Sequence, residues 1–278
     1  MKLFKTSKGF LVEENGILLN PMFDIDWDEL INRDNLHSFL KDSLSDQKVG
    51  QVRISDFEIL KPVGSQEVWA AGVTYYSSRL ARMEESKDSG GGDFYSRVYV
   101  ADRPEIFFKA TSSRTVGPGE PFRIRNDSTW DVPEPELTLC VTSSGKIVGY
   151  TIGNDVSSRS IEGENPLYLP QAKTFDACAC LGPCLYVTEN PLSEETSIKM
   201  EIIRGSELVF DGQTSLKEMK RKPQELVNYL LRETSFPQGV FLMTGTGIVP
   251  GTDFSLKLGD LVQITIDPIG TLSNTVGA

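Results

Sequence analysis

Histidine is almost absent from this sequence of 278 residues, and its scarcity limits the catalytic chemistry that the chain can perform. The single imidazole belongs to His37, which lies among apolar residues at near-helical spacing and is predicted to sit on a peripheral helix. A Ser–His–Asp or Cys–His triad would have to use this one side chain. We therefore expect the protein not to use triad chemistry.

Cysteine is also scarce, and its spacing argues against the common zinc sites. The four cysteines are Cys140, Cys178, Cys180 and Cys184. They match no standard zinc pattern and have no paired histidine to complete one. In a reducing compartment we expect all four to be small, buried hydrophobic side chains.

Long apolar runs and an excess of positive charge are missing as well. No run approaches the roughly 20 apolar residues of a membrane span, and the first ten residues, MKLFKTSKGF, contain no signal-peptide core. A net charge of −11 argues against nucleic acid or an anionic membrane as a partner. We therefore expect a cytoplasmic protein, in which an anionic substrate would need a metal ion or well-placed lysines and arginines.

Short apolar runs separated by glycine and proline dominate the chain after residue 65 and predict a mainly β core with long loops. The predicted strands are Val68–Val73, Ile106–Phe108, Leu137–Val141, Ile147–Ile152, Leu185–Val187, Ile198–Ile203, Val240–Met243 and Leu261–Ile266. Residues 1–65 mix strand-like runs with a helix, so we expect a small N-terminal α+β domain before a larger domain over residues 66–278. Helices are expected around Tyr75–Glu85 and Pro223–Glu233. The polar segment 86–93 would form either a lid or a plain surface loop.

Three carboxylates form the strongest chemical signal. Glu134 and Glu136 are two positions apart, so on a strand they point to the same face, and Asp155 follows near another predicted strand. Pro133 and Pro135 remove backbone donors, which suits a sheet edge or the mouth of a site better than a central strand. Neighbouring carboxylates repel unless a proton or cation lies between them, and all-oxygen ligation favours Mg²⁺, Mn²⁺ or Ca²⁺ over zinc. A solvated acidic strand edge is the alternative interpretation.

Several short motifs follow one another in an order that matches a known enzyme family. They are Arg103–Ala110 (RPEIFFKA), Pro133–Leu137 (PEPEL), Gly149–Arg159 (GYTIGNDVSSR), Lys173–Asp176 (KTFD), Leu181–Pro183 (LGP), Met243–Gly247 (MTGTG) and Leu258–Asp260 (LGD). With these motifs, residues 66 to 275 resemble the fumarylacetoacetate hydrolase family. The resemblance implies a mixed β-sheet roll with a smaller N-terminal domain, assembled as a homodimer or homotetramer.

The resemblance also implies a set of site residues. By position, Glu134, Glu136 and Asp155 would be the ligands of a divalent cation, normally Mg²⁺. Lys173 resembles the family lysine beside that metal, and Thr246 resembles the loop residue that contacts a substrate carboxylate. Without the resemblance, Lys173 would be interpreted as a surface cation and Thr246 as a residue that shapes a turn.

One motif departs from the hydrolytic members of the family, which usually carry a histidine in it. Here the segment 72–79 reads GVTYYSSR, and Ser78 occupies the histidine's place. Serine cannot take a proton from water at neutral pH, which argues against carbon–carbon bond hydrolysis, although Glu84 or Glu85 could replace the histidine. The segment 161–173, IEGENPLYLPQAK, is similar instead to the subgroup of 2-keto-3-deoxy-D-arabinonate dehydratases, which form 2,5-dioxopentanoate.

This resemblance implies a Mg²⁺-dependent lyase that removes water from a 2-keto-3-deoxy sugar acid, a small 2-oxo acid of the arabinonate or xylonate form. A metal bound to the ketone would ease removal of a C3 proton, and Glu105 is the candidate base. Its alternative role is a structural ion pair with Lys109. Lys173 would orient the substrate or donate a proton to the departing hydroxyl. Further candidates for contacting the substrate are Ser78, Arg79, Lys109 and Arg159.

Two other functions stay open from the sequence. An acylpyruvate hydrolase or an oxaloacetate decarboxylase would use the same metal chelation. A non-catalytic sugar-acid-binding protein would keep the fold without turnover. A Schiff-base route through Lys109 or Lys173 would be redundant once a metal polarises the ketone.

Overall fold

The computed structural model of the chain describes residues 1–21, 24–45, 50–78 and 92–278. Its α-helices are α1 (Trp27–Ile31), α2 (Leu36–Ser45), α3 (Gly92–Val100), α4 (Arg159–Glu164), α5 (Leu169–Lys173) and α6 (Pro223–Leu230). Its strands are β1 (Lys2–Thr6), β2 (Gly9–Glu14), β3 (Ile17–Asn20), β4 (Gly50–Gln51), β5 (Glu67–Gly72), β6 (Glu105–Ala110), β7 (Thr115–Val116), β8 (Phe122–Arg123), β9 (Asp131–Val132), β10 (Pro135–Val141), β11 (Ile147–Asp155), β12 (Ser157–Ser158), β13 (Ala179–Tyr186), β14 (Ser197–Arg204), β15 (Glu207–Ser215), β16 (Val240–Met243), β17 (Leu261–Ile266) and β18 (Gly270–Gly277). The fold class predicted from the sequence, α+β with a mainly β core, is confirmed.

A mixed sheet carries the centre of the fold, with strand order β4–β3–β2–β1–β13–β11–β10–β16–β5–β6 and β7 beside β13. The pairs β16–β5 and β13–β7 are parallel, whereas β10 pairs antiparallel with both β11 and β16. β10 and β11 lie near the middle and are buried along almost their whole length. Because both faces are covered, these two strands lack the alternation of a half-exposed strand.

The prolines beside Glu134 lie where β10 begins and not at the edge of the sheet. β10 pairs with β11 from Pro135 onward and with β16 from Thr138 onward. The missing amide of Pro135 therefore leaves the β10–β16 ladder intact. The sheet edge, one of the two positions considered for these prolines from the sequence, is therefore wrong, because they lie at the start of a central strand.

A second sheet, β15–β14–β17–β18–β8, packs against the first through a shared hydrophobic core. Along β14, Ile198, Met200 and Ile202 are buried and alternate with more exposed residues, as one covered face requires. They belong to the same core as Leu139 of β10 and Ile152 of β11. All four cysteines are free and buried, as predicted. This core supports the two strands whose ends carry the acidic residues.

The N-terminal strands continue the central sheet. β1 pairs with β13, and the amino group of Met1 donates a hydrogen bond to the carbonyl of Val187 at 3.0 Å. A second core cluster joins Leu3 and Leu30 to Leu185 and Phe241. The domain boundary at residue 65 stays a prediction, whereas the sheet itself extends across that boundary.

Two helices lie where the sequence predicts them, whereas the sequence pattern does not indicate α3, α4 or α5. α6 lies within the predicted Pro223–Glu233 and buries Leu226, Val227 and Leu230, and His37 lies in α2, as expected. Residues 76–78 are helical, but the rest of the helix predicted there and residues 86–91 of the predicted lid lie outside the described residues. None of the helices in the described ranges is long and apolar enough to cross a bilayer.

Gly153 sits opposite Glu136 in the β10–β11 ladder, where there is no room for a larger residue. A Cβ built at Gly153 would lie 2.4 Å from Thr138 Oγ1 and 3.0 Å from Met243 Cε. We expect Gly153→Ala to lower the free energy of unfolding by about 1–3 kcal/mol, because overpacking displaces well-packed neighbours. Urea denaturation measures the loss.

Thr138→Ala removes the hydroxyl group that the new methyl group would meet, so it is the matched partner of Gly153→Ala. The double variant should lose less stability than the sum of the two single variants. Additive losses would show that the contact with Thr138 does not limit residue size at Gly153.

Candidate active site and metal centre

Three carboxylates meet at the ends of two neighbouring strands of the central sheet. Glu134 precedes β10, Glu136 lies within it, and Asp155 is the last residue of β11. The amide of Asp155 donates a hydrogen bond to the carbonyl of Glu134 at 2.9 Å, which joins the two segments. One oxygen from each carboxylate lies within 4.8 Å of the others, and all three residues are buried. The structure thus brings together the acidic residues that the sequence singled out, here called the acidic trio.

Lys173 inserts its ammonium group among these carboxylates from the end of α5. Its Nζ donates hydrogen bonds to Glu134 Oε2 at 2.8 Å, to Asp155 Oδ2 at 3.2 Å and to Ser157 Oγ at 2.6 Å. The residue is completely buried. A surface position for Lys173, the alternative considered from the sequence, does not occur.

Two further buried cations each hold one member of the acidic trio. Arg159, at the start of α4, donates from Nη2 to Glu134 Oε1 at 2.5 Å. Lys109, in β6, forms an ion pair with Asp155 Oδ1 at 2.6 Å. Arg159 lines the pocket at the acidic trio, whereas Lys109 is not one of the lining residues. Both charges offset part of the negative charge of the site.

Glu136 contacts a neutral donor instead. Its Oε2 accepts a hydrogen bond from the amide of Gly245 at 2.6 Å. Burial, followed by the charges of Asp155 and Glu134, raises the pKa of Glu136 well above its usual value, while Lys173 and the Gly245 amide oppose this shift. A cation beside Glu136 would stabilise its ionised form.

The chemistry of this donor set fits a hard divalent cation. Carboxylate oxygens are the ligands that Mg²⁺ prefers, and at Mg–O distances of about 2.0–2.1 Å neighbouring octahedral ligands lie about 3 Å apart. The oxygens of the acidic trio, within 4.8 Å of one another, are close enough to converge on one such ion. Glu134, Glu136 and Asp155 would therefore hold Mg²⁺ and leave ligand positions for substrate oxygens.

Ser78 and Thr246 line the same pocket, and their hydroxyl groups bond to the backbone. Ser78 Oγ donates to the carbonyl of Tyr75 at 2.8 Å and accepts from the Tyr75 amide at 3.2 Å. Thr246 Oγ1 donates to the carbonyl of Ile248 and accepts from its amide, both at 3.1 Å. Each hydroxyl therefore shapes a wall of the pocket, at the helical residues 76–78 and in the turn after β16.

Glu105 reaches the wall of the pocket by way of Gly72. The two residues face each other in the β5–β6 pair, and Gly72 lines the pocket. A Cβ on Gly72 would lie 2.0 Å from Glu105 Oε2, so the carboxylate occupies the space of a side chain at that position. The ammonium group of Lys109 points to Asp155 rather than to Glu105, in contrast to the ion pair considered from the sequence.

Sequence reasoning assigned no role to several residues that complete the site. Ser157 accepts a hydrogen bond from the buried lysine, the Gly245 amide binds one carboxylate, and Glu162 lies 3.8 Å from Arg159. Ser157 could have been found from its spacing of two residues from Asp155, which predicts a shared face. The amide of Gly245 leaves no such signal, because every residue except proline supplies a backbone N–H. Three residues named from the sequence lie outside the described ranges: Arg79, Glu84 and Glu85.

Comparison with known proteins agrees with this geometry. The model of the fumarylacetoacetate (FAA) hydrolase C-terminal family matches residues 76–277. A probable 2-keto-3-deoxyxylonate dehydratase of Haloferax volcanii is 54% identical over 216 residues, which cover 77% of this chain and 73% of that protein. A 2-dehydro-3-deoxy-D-arabinonate dehydratase of Saccharolobus solfataricus is 46% identical over 228 residues, which cover 81% of this chain and 76% of that protein.

A solved structure extends the similarity to the whole chain. It is a 2-keto-3-deoxy-D-arabinonate dehydratase complexed with magnesium and 2,5-dioxopentanoate, 36% identical to this chain with a TM-score of 0.82. The match covers 100% of this chain and 99% of that one. The chain therefore belongs to the fumarylacetoacetate hydrolase family.

Proposed function

We propose that the protein is a Mg²⁺-dependent dehydratase, a hydro-lyase that removes water from a 2-keto-3-deoxy sugar acid. The substrate is the five-carbon arabinonate or xylonate form, and the product is 2,5-dioxopentanoate. The observation that carries this proposal is the buried acidic trio with Lys173 beside it. Its similarity to two dehydratases, at 54% and 46% identity, supports the same reaction class.

The pocket offers contacts for both the metal and an anionic substrate. Bound by the acidic trio, Mg²⁺ would polarise the 2-oxo group of the substrate and make the C3 proton easier to remove. Thr246 lies in the pocket wall, where we assign it contact with the substrate carboxylate. Arg159, also in the lining, supplies positive charge in a chain whose net charge is −11.

Glu105 is the proposed base that accepts the C3 proton. An ionised carboxylate can take this proton when it lies within hydrogen-bond reach of the carbon that loses it. The carboxylate of Glu105 lies against Gly72, a residue of the pocket wall, and Glu105 itself lines a second cavity together with Arg103 and Asn165. The strand pair β5–β6 fixes its position.

Lys173 is the proposed proton donor to the departing C4 hydroxyl group. Its ammonium group lies among the carboxylates and also donates to Ser157. Loss of hydrogen from C3 and hydroxyl from C4 leaves a C3–C4 double bond. A proton shift from C5 to C3 then gives an enol with a C4–C5 double bond, and transfer of its hydroxyl proton to C4 gives the C5 aldehyde of the product, so no oxidant is required.

Hydrolysis has less support from the described residues. The hydroxyl group of Ser78 bonds to the backbone of Tyr75. His37, the single histidine of the chain, lies in a different cavity with Nδ1 3.1 Å from Glu189 Oε1. Neither residue offers a base for water beside the acidic trio. Measured turnover separates a dehydratase from a non-catalytic sugar-acid-binding protein.

The family resemblance also supports action as a homodimer or homotetramer, and the cytoplasmic location expected from the sequence is part of the proposal as well. Analytical ultracentrifugation under assay conditions measures the assembly. A fully active monomer would contradict it.

The metal requirement is tested by removing either the cation or one ligand. A chelator should abolish formation of 2,5-dioxopentanoate, and added Mg²⁺ should restore it. Glu136→Gln should lower kcat by about 100-fold or more and weaken Mg²⁺ binding, measured by titration calorimetry, because a charged ligand is lost. The exposed Glu207→Gln in β15 is the matched control and should change neither quantity.

Stability separates this effect from unfolding. Because the folded protein raises the pKa of Glu136, the ionised carboxylate opposes folding at neutral pH, and an amide there removes the penalty. In chelator, the thermal midpoint of Glu136→Gln should therefore not fall below that of the wild type. Full activity in chelator, or unchanged Mg²⁺ affinity in the variant, would contradict the assignment.

The role of Glu105 is tested through the glycine it covers. Glu105→Ala should lower kcat by about 100-fold or more, the usual contribution of a general base, with Mg²⁺ affinity unchanged. Gly72→Ala should also lower kcat, because the new methyl group displaces the carboxylate. In the Glu105→Ala background the same change should cause no further loss. A Gly72→Ala enzyme with wild-type kcat would argue against this position for the base.

A further inference from the structure

Lys109 is a completely buried lysine whose contacts connect two parts of the site. Its Nζ lies 2.6 Å from Asp155 Oδ1, and it donates hydrogen bonds to the carbonyl of Val156 at 2.8 Å and to the carbonyl of Lys173 at 2.5 Å. We propose that Lys109 is a positioning residue, which fixes the metal-binding carboxylate and the catalytic lysine relative to each other. This inference rests on the roles proposed above for Asp155 and Lys173.

The contacts of Lys109 are all with the protein. Its ammonium group donates hydrogen bonds to two backbone carbonyls and forms an ion pair with a carboxylate. The side chain is not among those that line the pocket at the acidic trio. In place of the substrate contact expected from the sequence, Lys109 therefore acts through its neighbours.

The first of these neighbours is Asp155. Lys109 holds Oδ1 of its carboxylate, while Oδ2 faces Lys173 Nζ at 3.2 Å and the rest of the acidic trio. This ion pair restrains rotation of the carboxylate about its last bond and keeps Oδ2 on the side of Lys173. The bond to the carbonyl of Val156 anchors the backbone just after Asp155 as well.

The second neighbour is the backbone from which the side chain of Lys173 projects. Lys173 is the last residue of α5, where helix carbonyls lack partners within the helix. Lys109 satisfies the carbonyl of Lys173 from β6. One ammonium group thus ties the end of α5 to the end of β11. Displacement of about 1 Å between reacting groups is enough to lower a rate about 100-fold.

Lys109→Met in the Mg²⁺-loaded enzyme tests this role, because methionine keeps an unbranched apolar side chain and removes all three donors. We expect kcat to fall about 100-fold and Mg²⁺ affinity, measured by titration calorimetry, to fall about 10-fold. The KM for the substrate should change by less than about threefold, since Lys109 touches no substrate. If the methionine variant does not fold, Lys109→Gln should likewise lower kcat and Mg²⁺ affinity and leave KM nearly unchanged.

Lys61→Met is the matched control. Lys61 also donates to two backbone carbonyls, those of Ser112 at 2.6 Å and Thr115 at 2.8 Å, but it contacts no member of the acidic trio. It should lose stability without a change in kcat or Mg²⁺ affinity. Equal losses of kcat in the two variants would reduce Lys109 to a merely structural residue and overturn the proposal.

Two further outcomes overturn the inference. A Lys109→Met enzyme with wild-type kcat and Mg²⁺ affinity would show that positioning does not depend on this side chain. A raised KM with unchanged kcat would show that Lys109 binds substrate. Both require an active wild type, so they are distinct from failure of the proposed dehydration, in which the wild-type protein itself forms no product.

Discussion

Three negative charges in one buried pocket set the constraint to which the rest of the site responds. At an effective dielectric constant of about 20, two unit charges 4.8 Å apart repel by about 3.5 kcal/mol, so unpaired carboxylates here would oppose folding. Among the described residues, the carboxylates contact three buried cations and one backbone amide: Lys109, Lys173, Arg159 and the N–H of Gly245. Glu136 accepts a hydrogen bond from the amide, and burial together with the charges of Asp155 and Glu134 raises its pKa. The paired charges therefore allow the pocket to form, and one carboxylate, that of Glu136, is left for a further cation to stabilise.

Sheet topology explains why these charges lie inside the protein rather than at its surface. β10 and β11 are neighbours near the middle of the central sheet, and their pairing aligns the start of one with the end of the other. A pocket at this place is walled by β5 and β6 through Gly72 and Phe107, so water has limited access. Low polarity strengthens each ion pair and also makes each unpaired charge more costly. Burial therefore raises the energetic cost of the unpaired acidic trio and also strengthens its attraction for a bound dication.

The metal ligands could be predicted from the sequence, whereas the donors around them could not. Glu134 and Glu136 share a face because strands have a period of two, and this local rule needs no knowledge of the fold. Lys109 is different: its partners Val156 and Lys173 lie 47 and 64 residues away along the chain. The sequence instead suggested the nearest acid, Glu105, because spacing reveals local neighbours only. The continuation of the central sheet into β1 is likewise set by long-range pairing and has no local signal.

The arrangement of acids and bases favours elimination over hydrolysis. In the described part of the pocket, the hydroxyl group of Ser78 is bonded to the backbone of Tyr75, so the place beside the acidic trio has no group to deprotonate water. The carboxylate of Glu105 lies against Gly72 in the β5–β6 pair, whereas the metal ligands lie at the ends of β10 and β11. Metal binding and proton removal are thus assigned to different strands. The same set of metal ligands can serve several reactions, and the position of the proton acceptor decides which bond is broken.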